Sequence, residues 1–440
     1  MSKAQIWKTQ PLESWAKAKE LRAKWQASAS SQEKIVGQGN TYTLNADWSE
    51  AFPAVTILED NPAGSMIQNK SSSFARKCRL ASETRGWGRE LCGYVNNLWG
   101  SQFLGYQIDG DPFPVRKFVI PMPCQCDQHG KRGQQARDFL PIPQWMADRL
   151  TYFGDRDEKR EEALREHHVY CQYRVLNDME RVFGQKLNDE KLLELGEADT
   201  KKKEYQTDVA IFMTYKPAPI SVKDLYSFYT IGSLTKVDPQ DTLDLWKHFR
   251  DEVEWRAKNQ IAAVGTERYR WIEAHPPSWH FLKYYRYLEQ YGAVCLGSQY
   301  THVGFGDMEF KPDGSIGNRE NPKYPEDTPV VTREDAVRKL LGPDPRKPDN
   351  FKTDEYLQRG RIAEFAKIMK ADGALLAIWR SGVGCTLTRK EQAMYLKESG
   401  LNVLHYEGSQ PGDRTDLDET RFLDQLDAWM ESQGLEKLDD

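Results

Sequence analysis

Residues 373–405 read GALLAIWRSGVGCTLTRKEQAMYLKESGLNVLH, and they carry the pattern that decides the fold. An apolar, strand-sized run at residues 374–379 comes first. A charged amphipathic stretch at residues 387–399 follows and ends at Gly400, before a second apolar run at 402–405. A strand, a helix and a second strand in this order are typical of a parallel β-α-β unit.

The same alternation occurs earlier in the chain. Residues 270–274 and 293–296 read as strands on either side of a helix over 279–290. Nearer the start, strands are predicted at 54–58 and 117–120, and one long helix is predicted from about Phe74 to Trp99. Alternating strands and helices favour parallel sheets, so the sequence predicts an α/β fold of two doubly wound, Rossmann-like domains.

The expected division of the chain has four parts. Its length of 440 residues exceeds that of one compact core. Seven of the 22 prolines cluster in an excursion at 307–350, and a closing helix is expected over 415–432. The predicted parts are an N-terminal helical extension (1–50), a first α/β domain (51–215), a helical connector (216–265) and a second α/β domain (266–440).

Composition narrows the class of function. Sixty-one basic and 66 acidic residues leave a net charge of −5, which disfavours a surface that follows nucleic-acid phosphates. No apolar run approaches the roughly 18 residues of a membrane span, and the first 24 residues lack the apolar core of a secretion signal. We therefore expect a cytoplasmic protein that binds neither nucleic acid nor membrane.

Seven cysteines are present, scattered and odd in number, so they do not indicate a disulfide framework. Cys124 and Cys126 follow the strand at 117–120, and Cys385 follows the strand at 374–379. Ligands of open parallel sheets bind beyond the carboxyl ends of the strands. Cys92 falls in the middle of the predicted helix 74–99, beside Gly93. Thiolates that converge from several elements are what an iron–sulfur cluster requires.

Other interpretations of these cysteines stay open. Free cysteines often pack as small buried hydrophobes, and this is the interpretation for Cys78, Cys171 and Cys295. Cys124 and Cys126 with His129 nearby could hold zinc, but a second pair at the usual spacing is missing. The sequence also lacks both nucleotide-binding glycine loops, G-x-x-x-x-G-K-[ST] and G-x-G-x-x-G.

Two histidines are candidate catalytic residues. His275 and His302 each follow a strand of the second domain, so either could act as a general acid or bind a carbonyl group in the same crevice. The alternative for each is a surface or structural histidine.

Several motifs together resemble one known family, that of the 2-hydroxyacyl-CoA dehydratases and benzoyl-CoA reductases. The resemblance extends from about residue 50 to residue 435 and depends on the order of the motifs. These are ILEDNPA (57–63), RELCGYV (89–95), Cys126-Asp127, KPAPIS (216–221) and the strand–cysteine–helix–strand run over 372–408.

Within the family, the length and the residues around Cys92 look most like the larger, B-type cluster-binding subunit of the ATP-dependent (class I) benzoyl-CoA reductases. The resemblance implies a [4Fe-4S] cluster held by Cys92, Cys126 and Cys385. Cys124 is a rival to Cys126, and residues 382–384 lengthen the usual junction before Cys385.

The resemblance also implies partners and a reaction. A pair of ATPase subunits would accept electrons from reduced ferredoxin and bind the ATP, which fits the missing nucleotide loops. This chain and a smaller related cluster-binding subunit would then reduce benzoyl-CoA to cyclohexa-1,5-diene-1-carbonyl-CoA with two electrons. The alternatives are a 2-hydroxyacyl-CoA dehydratase subunit and a non-catalytic subunit that only relays electrons.

Overall fold

The structure, a computed structural model, describes most of the chain. The described residues are 5–29, 35–39, 51–59, 67, 71–88, 92–113, 117–120, 141–145, 158–233, 239–273, 282–298, 308–318, 329–341, 359–379, 389–408 and 418–438.

Two parallel sheets of three and four strands form the centre of the described structure, with a short parallel pair and a hairpin beside them. The strands are β1 (Lys8–Thr9), β2 (Ile35–Gly39), β3 (Val55–Glu59), β4 (Phe118–Ile120), β5 (Ile261–Ala262), β6 (Tyr269–Glu273), β7 (Ala293–Ser298), β8 (Met308–Phe310), β9 (Ile316–Asn318), β10 (Gly373–Trp379) and β11 (Asn402–Gly408).

Helices connect and cover these strands. They are α1 (Ser14–Ala29), α2 (Ser72–Glu83), α3 (Gly93–Leu104), α4 (Glu158–Phe183), α5 (Asp189–Met213), α6 (Val222–Ser233), α7 (Pro239–Lys258), α8 (Leu282–Glu289), α9 (Arg333–Leu341), α10 (Arg359–Ile368), α11 (Arg389–Glu398) and α12 (Glu419–Glu431).

The four-stranded sheet confirms the α/β prediction for the second half of the chain. Its order is β11-β10-β6-β7, and every neighbouring pair is parallel. Of these four strands, β6 comes first in the chain, and it lies inside the sheet. The second strand, β7, lies on one side of it, and the third, β10, lies on the other. Helix α8 connects β6 to β7, and α11 connects β10 to β11, as parallel neighbours require.

The three-stranded sheet repeats this arrangement with a strand that was not predicted from the sequence. Its order is β3-β2-β4, again all parallel and again with the first strand in the middle. Residues 35–39, which lie within the predicted N-terminal helical extension (1–50), form the strand β2 instead of a helix. Two of these five residues are glycines, so the apolar pattern is too short to signal a strand.

Residues 74–99 form two helices rather than one. Helix α2 ends at Glu83, Gly86 adopts the left-handed backbone (φ +86°), and α3 begins at Gly93. The Ser82 hydroxyl, which donates to the carbonyl of Asn96 over 3.0 Å, fastens the two helices together. The sequence pattern does not indicate the break, because apolar residues continue through the turn. Since the second helix begins at Gly93, Cys92 lies before a helix and not within one.

The run of three lysines at residues 201–203 lies inside the continuous helix α5. The Asp199 carboxylate supports the helix there, since it pairs with Lys202 and Lys203, three and four residues further on.

Helix α6 begins at a polar cap. The backbone N–H of Ser221 donates to the Asp224 carboxylate over 2.9 Å, as in one half of a capping box.

The largest hydrophobic core surrounds the four-stranded sheet. It also contains buried residues of α1, α6 and α7, so the segments predicted as N-terminal extension and helical connector both contribute to this core. A smaller core joins α4, α5 and α9 to the start of β3 and to β4.

Helix α9, from the proline-rich excursion, docks on α4 and α5. The Arg333 guanidinium binds the carboxylates of Glu180 and Asp189 at 2.8 Å each, and it donates to Asn177 over 2.6 Å. Val337 and Leu340 of the same helix pack into the smaller core. Part of the excursion is therefore ordered structure.

The closest approach of α2 and α3 predicts the effect of one substitution. A Cβ atom built on Gly100 would overlap the backbone of Cys78, so Gly100→Ala must push the two helices apart. We expect a loss of about 1–3 kcal/mol of stability, measured as a lower urea midpoint of unfolding. Gly265→Ala is the control, because a Cβ there has no neighbour within 4 Å. Equal midpoints for both variants would contradict this packing.

The ion pairs of Arg333 predict how the docking of α9 depends on pH. Hydrogen bonding by Arg333 lowers the pKa of Glu180 from 4.5 to about 2. A lowered carboxyl pKa stabilises the folded state above the unfolded pKa, and this stabilisation disappears as the pH falls through the folded value. The protection factors of the α9 amides, which correct the hydrogen-exchange rate for its intrinsic pH dependence, should therefore fall between about pH 4.5 and 2. In Glu180→Gln this fall should be absent, and an unchanged profile would refute the pairing.

Candidate functional site

The carboxyl edge of the four-stranded sheet has the geometry of a ligand site. The strands β6, β7, β10 and β11 end there at Glu273, Ser298, Trp379 and Gly408. The chain passes from β6 to β7 on one side of β6 and later to β10 on its other side, so the direction of the connections reverses next to β6. Ligands of open α/β sheets bind at such a switch point, outside the carboxyl ends of the strands.

A buried cluster of one carboxylate and three hydroxyl groups lies at this edge. Glu273 ends β6 with 0% of its surface exposed. Its two carboxylate oxygens accept hydrogen bonds, one from the phenol of Tyr226 and one from that of Tyr285. The Tyr226 oxygen also lies 3.4 Å from Ser298 Oγ and 3.4 Å from the Tyr285 oxygen. We call these four residues the Glu273 cluster.

Three different elements bring the hydroxyl groups to Glu273. Ser298 ends β7 and is the register partner of Glu273 across the two strands. Tyr226 lies in the first turns of α6, which begins at the Ser221 cap. Tyr285 lies on α8, where its ring stacks on Trp271 with centroids 5.2 Å apart. The cluster therefore joins two helices to two strand ends.

Burial governs the electrostatics of the cluster. It raises the pKa of both Tyr226 and Tyr285 well above the ordinary value, and the nearby charge of Glu273 raises each pKa further. The pKa of Cys295, which lies inside β7, is raised by burial and by Glu273 in the same way. The two phenols consequently keep their protons in neutral solution and act as donors.

Glu273, Tyr226 and Tyr285 were not predicted from the sequence, which indicated His275 and His302 instead. Both histidines lie outside the described residues. They nevertheless follow the two strand ends of the cluster, since His275 comes two residues after Glu273 and His302 four residues after Ser298. A signal was present, because Glu273 lies inside the predicted strand 270–274, and a glutamate is an unusual residue in a strand that is fully buried.

Cys92 is the one proposed cluster ligand among the described residues. It immediately precedes α3, where it is half-buried against an aromatic group that includes Trp87 and Trp99. The N-terminal end of a helix carries a partial positive charge, which favours a thiolate. The local structure around Cys92 therefore suits a cysteine that binds a metal cluster.

The other described cysteines have the surroundings of packing residues. Cys78 is fully buried between α2 and α3, and burial raises the pKa of its thiol to about 12. Cys295 is buried inside β7, as predicted. Cys171 is half-buried on α4, with its sulfur 3.5 Å from His167 Nε2.

Cys124, Cys126 and Cys385 lie outside the described residues, so their convergence with Cys92 stays a prediction. Within the described ranges, no group of three or more His, Cys, Asp or Glu side chains could hold a metal ion. A search of the same ranges finds no helix with the length and apolar character of a membrane span.

Comparison with known proteins identifies the family. Residues 73–432 match the model of the 2-hydroxyglutaryl-CoA dehydratase D-component family. The chain is 23% identical over 225 residues to the (R)-phenyllactyl-CoA dehydratase alpha subunit of Clostridium sporogenes, a match that covers 50% of this chain and 54% of that protein. It is 25% identical over 297 residues to a subunit of the benzoyl-CoA reductase of Thauera aromatica, covering 64% of this chain and 66% of that protein.

The matched part thus spans about half to two thirds of these relatives, both of which are subunits of enzymes. Since the family model extends over most of the chain, the chain belongs to the 2-hydroxyglutaryl-CoA dehydratase D-component family.

Proposed function

We propose that this chain is the [4Fe-4S]-binding subunit of an ATP-dependent benzoyl-CoA reductase, built from two doubly wound domains. Family membership supports an enzyme subunit that acts on a CoA thioester. The observation that favours a reductase over a dehydratase is the length of the matches. The chain matches a subunit of a benzoyl-CoA reductase over 297 residues and the dehydratase subunit over 225 residues.

The proposed cluster ligands are Cys92, Cys126 and Cys385, with Cys124 as the rival to Cys126. Cys92 fits because it is half-buried at the start of a helix, among aromatic residues that limit the access of water. A [4Fe-4S] cluster supplies one-electron transfer at a low potential, set by its hydrogen bonds and its exposure.

The chain's own residues would hold the substrate and manage protons. The switch point of the four-stranded sheet is the favoured position for a ligand. His275 and His302 are proposed as general acids there. His275 follows Glu273, the last residue of β6, by two positions in the sequence, which supports this role.

The proposal also includes the partners of the complex. A smaller related cluster-binding subunit would pair with this chain, and a pair of ATPase subunits would bind ATP and take electrons from reduced ferredoxin. That both relatives are named as subunits supports a hetero-oligomer. The complex is proposed to work in the cytoplasm.

A 2-hydroxyacyl-CoA dehydratase subunit is the second candidate, favoured by the family description and by the phenyllactyl-CoA dehydratase match. Electron stoichiometry separates the two reactions. A reductase consumes two electrons and hydrolyses ATP in every turnover, whereas a dehydratase needs electrons only for priming.

The test is to supply the assembled complex with reduced ferredoxin, ATP and benzoyl-CoA, and to count electrons against product. We expect two electrons for each cyclic dienoyl-CoA formed. If the complex instead turns over a 2-hydroxyacyl-CoA substrate without continued consumption of electrons, the chain is a dehydratase subunit and not a reductase subunit. If added acyl-CoA leaves the spectrum of this chain's cluster unchanged, the chain is a relay subunit.

Cysteine substitutions test the proposed ligands. Cys92→Ser and Cys385→Ser should each lower iron content and activity together, because each removes a thiolate. Cys171→Ala is the matched control, and it should keep its iron at a packing cost of about 1 kcal/mol. Full iron occupancy in either serine variant would refute that ligand, and loss of iron from the control would show that the wrong thiols were chosen.

A further inference from the structure

The Glu273 cluster is not explained by stability. Replacing a buried ionic or polar group by apolar residues of similar volume is often neutral or even stabilising. Glu273 and Ser298 are fully buried, and only 1% of Tyr226 is exposed. Aliphatic and aromatic side chains could therefore fill the position of these three hydroxyl groups and the carboxylate with a smaller desolvation penalty on folding.

The position of the cluster points to the reaction. Glu273 ends β6, which borders the switch point of the sheet, and Ser298 ends the adjacent strand. Side chains at the carboxyl ends of these strands are the ones that reach a ligand in folds of this kind.

The groups of the cluster are also in the order that proton transfer requires. A hydroxyl group can accept one proton while it donates its own. The Tyr226 phenol contacts both the Glu273 carboxylate and, over 3.4 Å, the Ser298 hydroxyl, so it bridges the other two. Because burial raises its pKa, Tyr226 passes protons as a neutral phenol and does not ionise.

The proposed reaction requires a path for protons to the substrate. Reduction of benzoyl-CoA to the cyclic diene adds two electrons and two protons, which break one ring π bond and form two C–H bonds. An active site that excludes water must deliver these protons through protein groups.

We infer that Glu273, Tyr226 and Ser298 form a proton relay that delivers protons to the substrate at the carboxyl edge of the four-stranded sheet, with Tyr285 as the positioning residue for Glu273. This inference rests on the proposed function. A proton from water first binds a Glu273 oxygen, so that Glu273 becomes the donor to Tyr226 and the Tyr226 hydroxyl can turn to Ser298 Oγ. Tyr226 then takes the proton from Glu273 as its own passes to Ser298, and in the same step the Ser298 hydroxyl proton forms the new C–H bond. Two such transfers supply both protons, while the electrons come from ferredoxin.

The chain contains a matched control for this relay. Tyr291 is another buried tyrosine, and its phenol donates to the carboxylate of Asp427 over 2.6 Å. This pair joins α12 to the turn before the amino end of β7, whereas the Glu273 cluster lies at the carboxyl ends of β6 and β7. Tyr291→Phe and Asp427→Asn therefore remove the same chemical groups from a different place.

The experiment compares Glu273→Gln and Tyr226→Phe with these two controls in the assembled complex. The relay predicts that both test variants form product about 100-fold more slowly, with unchanged iron content and an unchanged KM for the acyl-CoA. In Tyr226→Phe, which keeps its ring and its packing, the solvent deuterium isotope effect on product formation should rise. The controls should keep the wild-type rate and isotope effect.

Several outcomes overturn the relay. The relay is wrong if Glu273→Gln and Tyr226→Phe both form product at the wild-type rate. It is also wrong if these variants raise the KM for the acyl-CoA and leave kcat unchanged. If Glu273→Gln does not fold, Tyr226→Phe alone decides.

Failure of the proposed function has a different signature. A wild-type complex that dehydrates 2-hydroxyacyl-CoA overturns the reductase. The same four variants are then compared in that reaction, which also moves a proton at a substrate carbon. Unchanged rates of Glu273→Gln and Tyr226→Phe there overturn the relay, whereas a selective loss of rate in these two supports it.

Discussion

Parallel strand pairing is the constraint on which the rest of the structure depends. Every neighbouring pair in the two main sheets is parallel, so each strand must be followed by a crossover before the chain can return. All the strands of a sheet therefore end at one edge. In both sheets the first strand lies inside, which opens a switch point between β2 and β4 in one sheet and between β6 and β10 in the other.

This constraint also explains why residues far apart in the chain can serve one site. The proposed ligands Cys126 and Cys385 follow β4 and β10, the third strand of each sheet. Glu273 and Ser298 end β6 and β7. A parallel sheet places the residues at its strand ends along one edge, whatever their separation in the sequence.

Much of the second half of the fold could be predicted from the sequence, because β10, α11 and β11 have strong apolar patterns and clear ends. The break between α2 and α3 could not, since apolar residues continue across it, and β2 was too short and too rich in glycine. Of the site, the strand ends were predictable, whereas the cysteine ligands stay a prediction. The Glu273 cluster was not, because it depends on tyrosines from two helices meeting one strand end, and such contacts leave no periodic pattern in a sequence.

We propose that this chain is an iron–sulfur subunit of an acyl-CoA enzyme. Iron and acid-labile sulfide analysis of the anaerobically purified complex tests it most directly. We expect equal amounts of iron and sulfide, with one [4Fe-4S] cluster for each copy of this chain in addition to the clusters that the partner subunits bind. Iron and sulfide accounted for entirely by the partner subunits, with none bound to this chain, would contradict it.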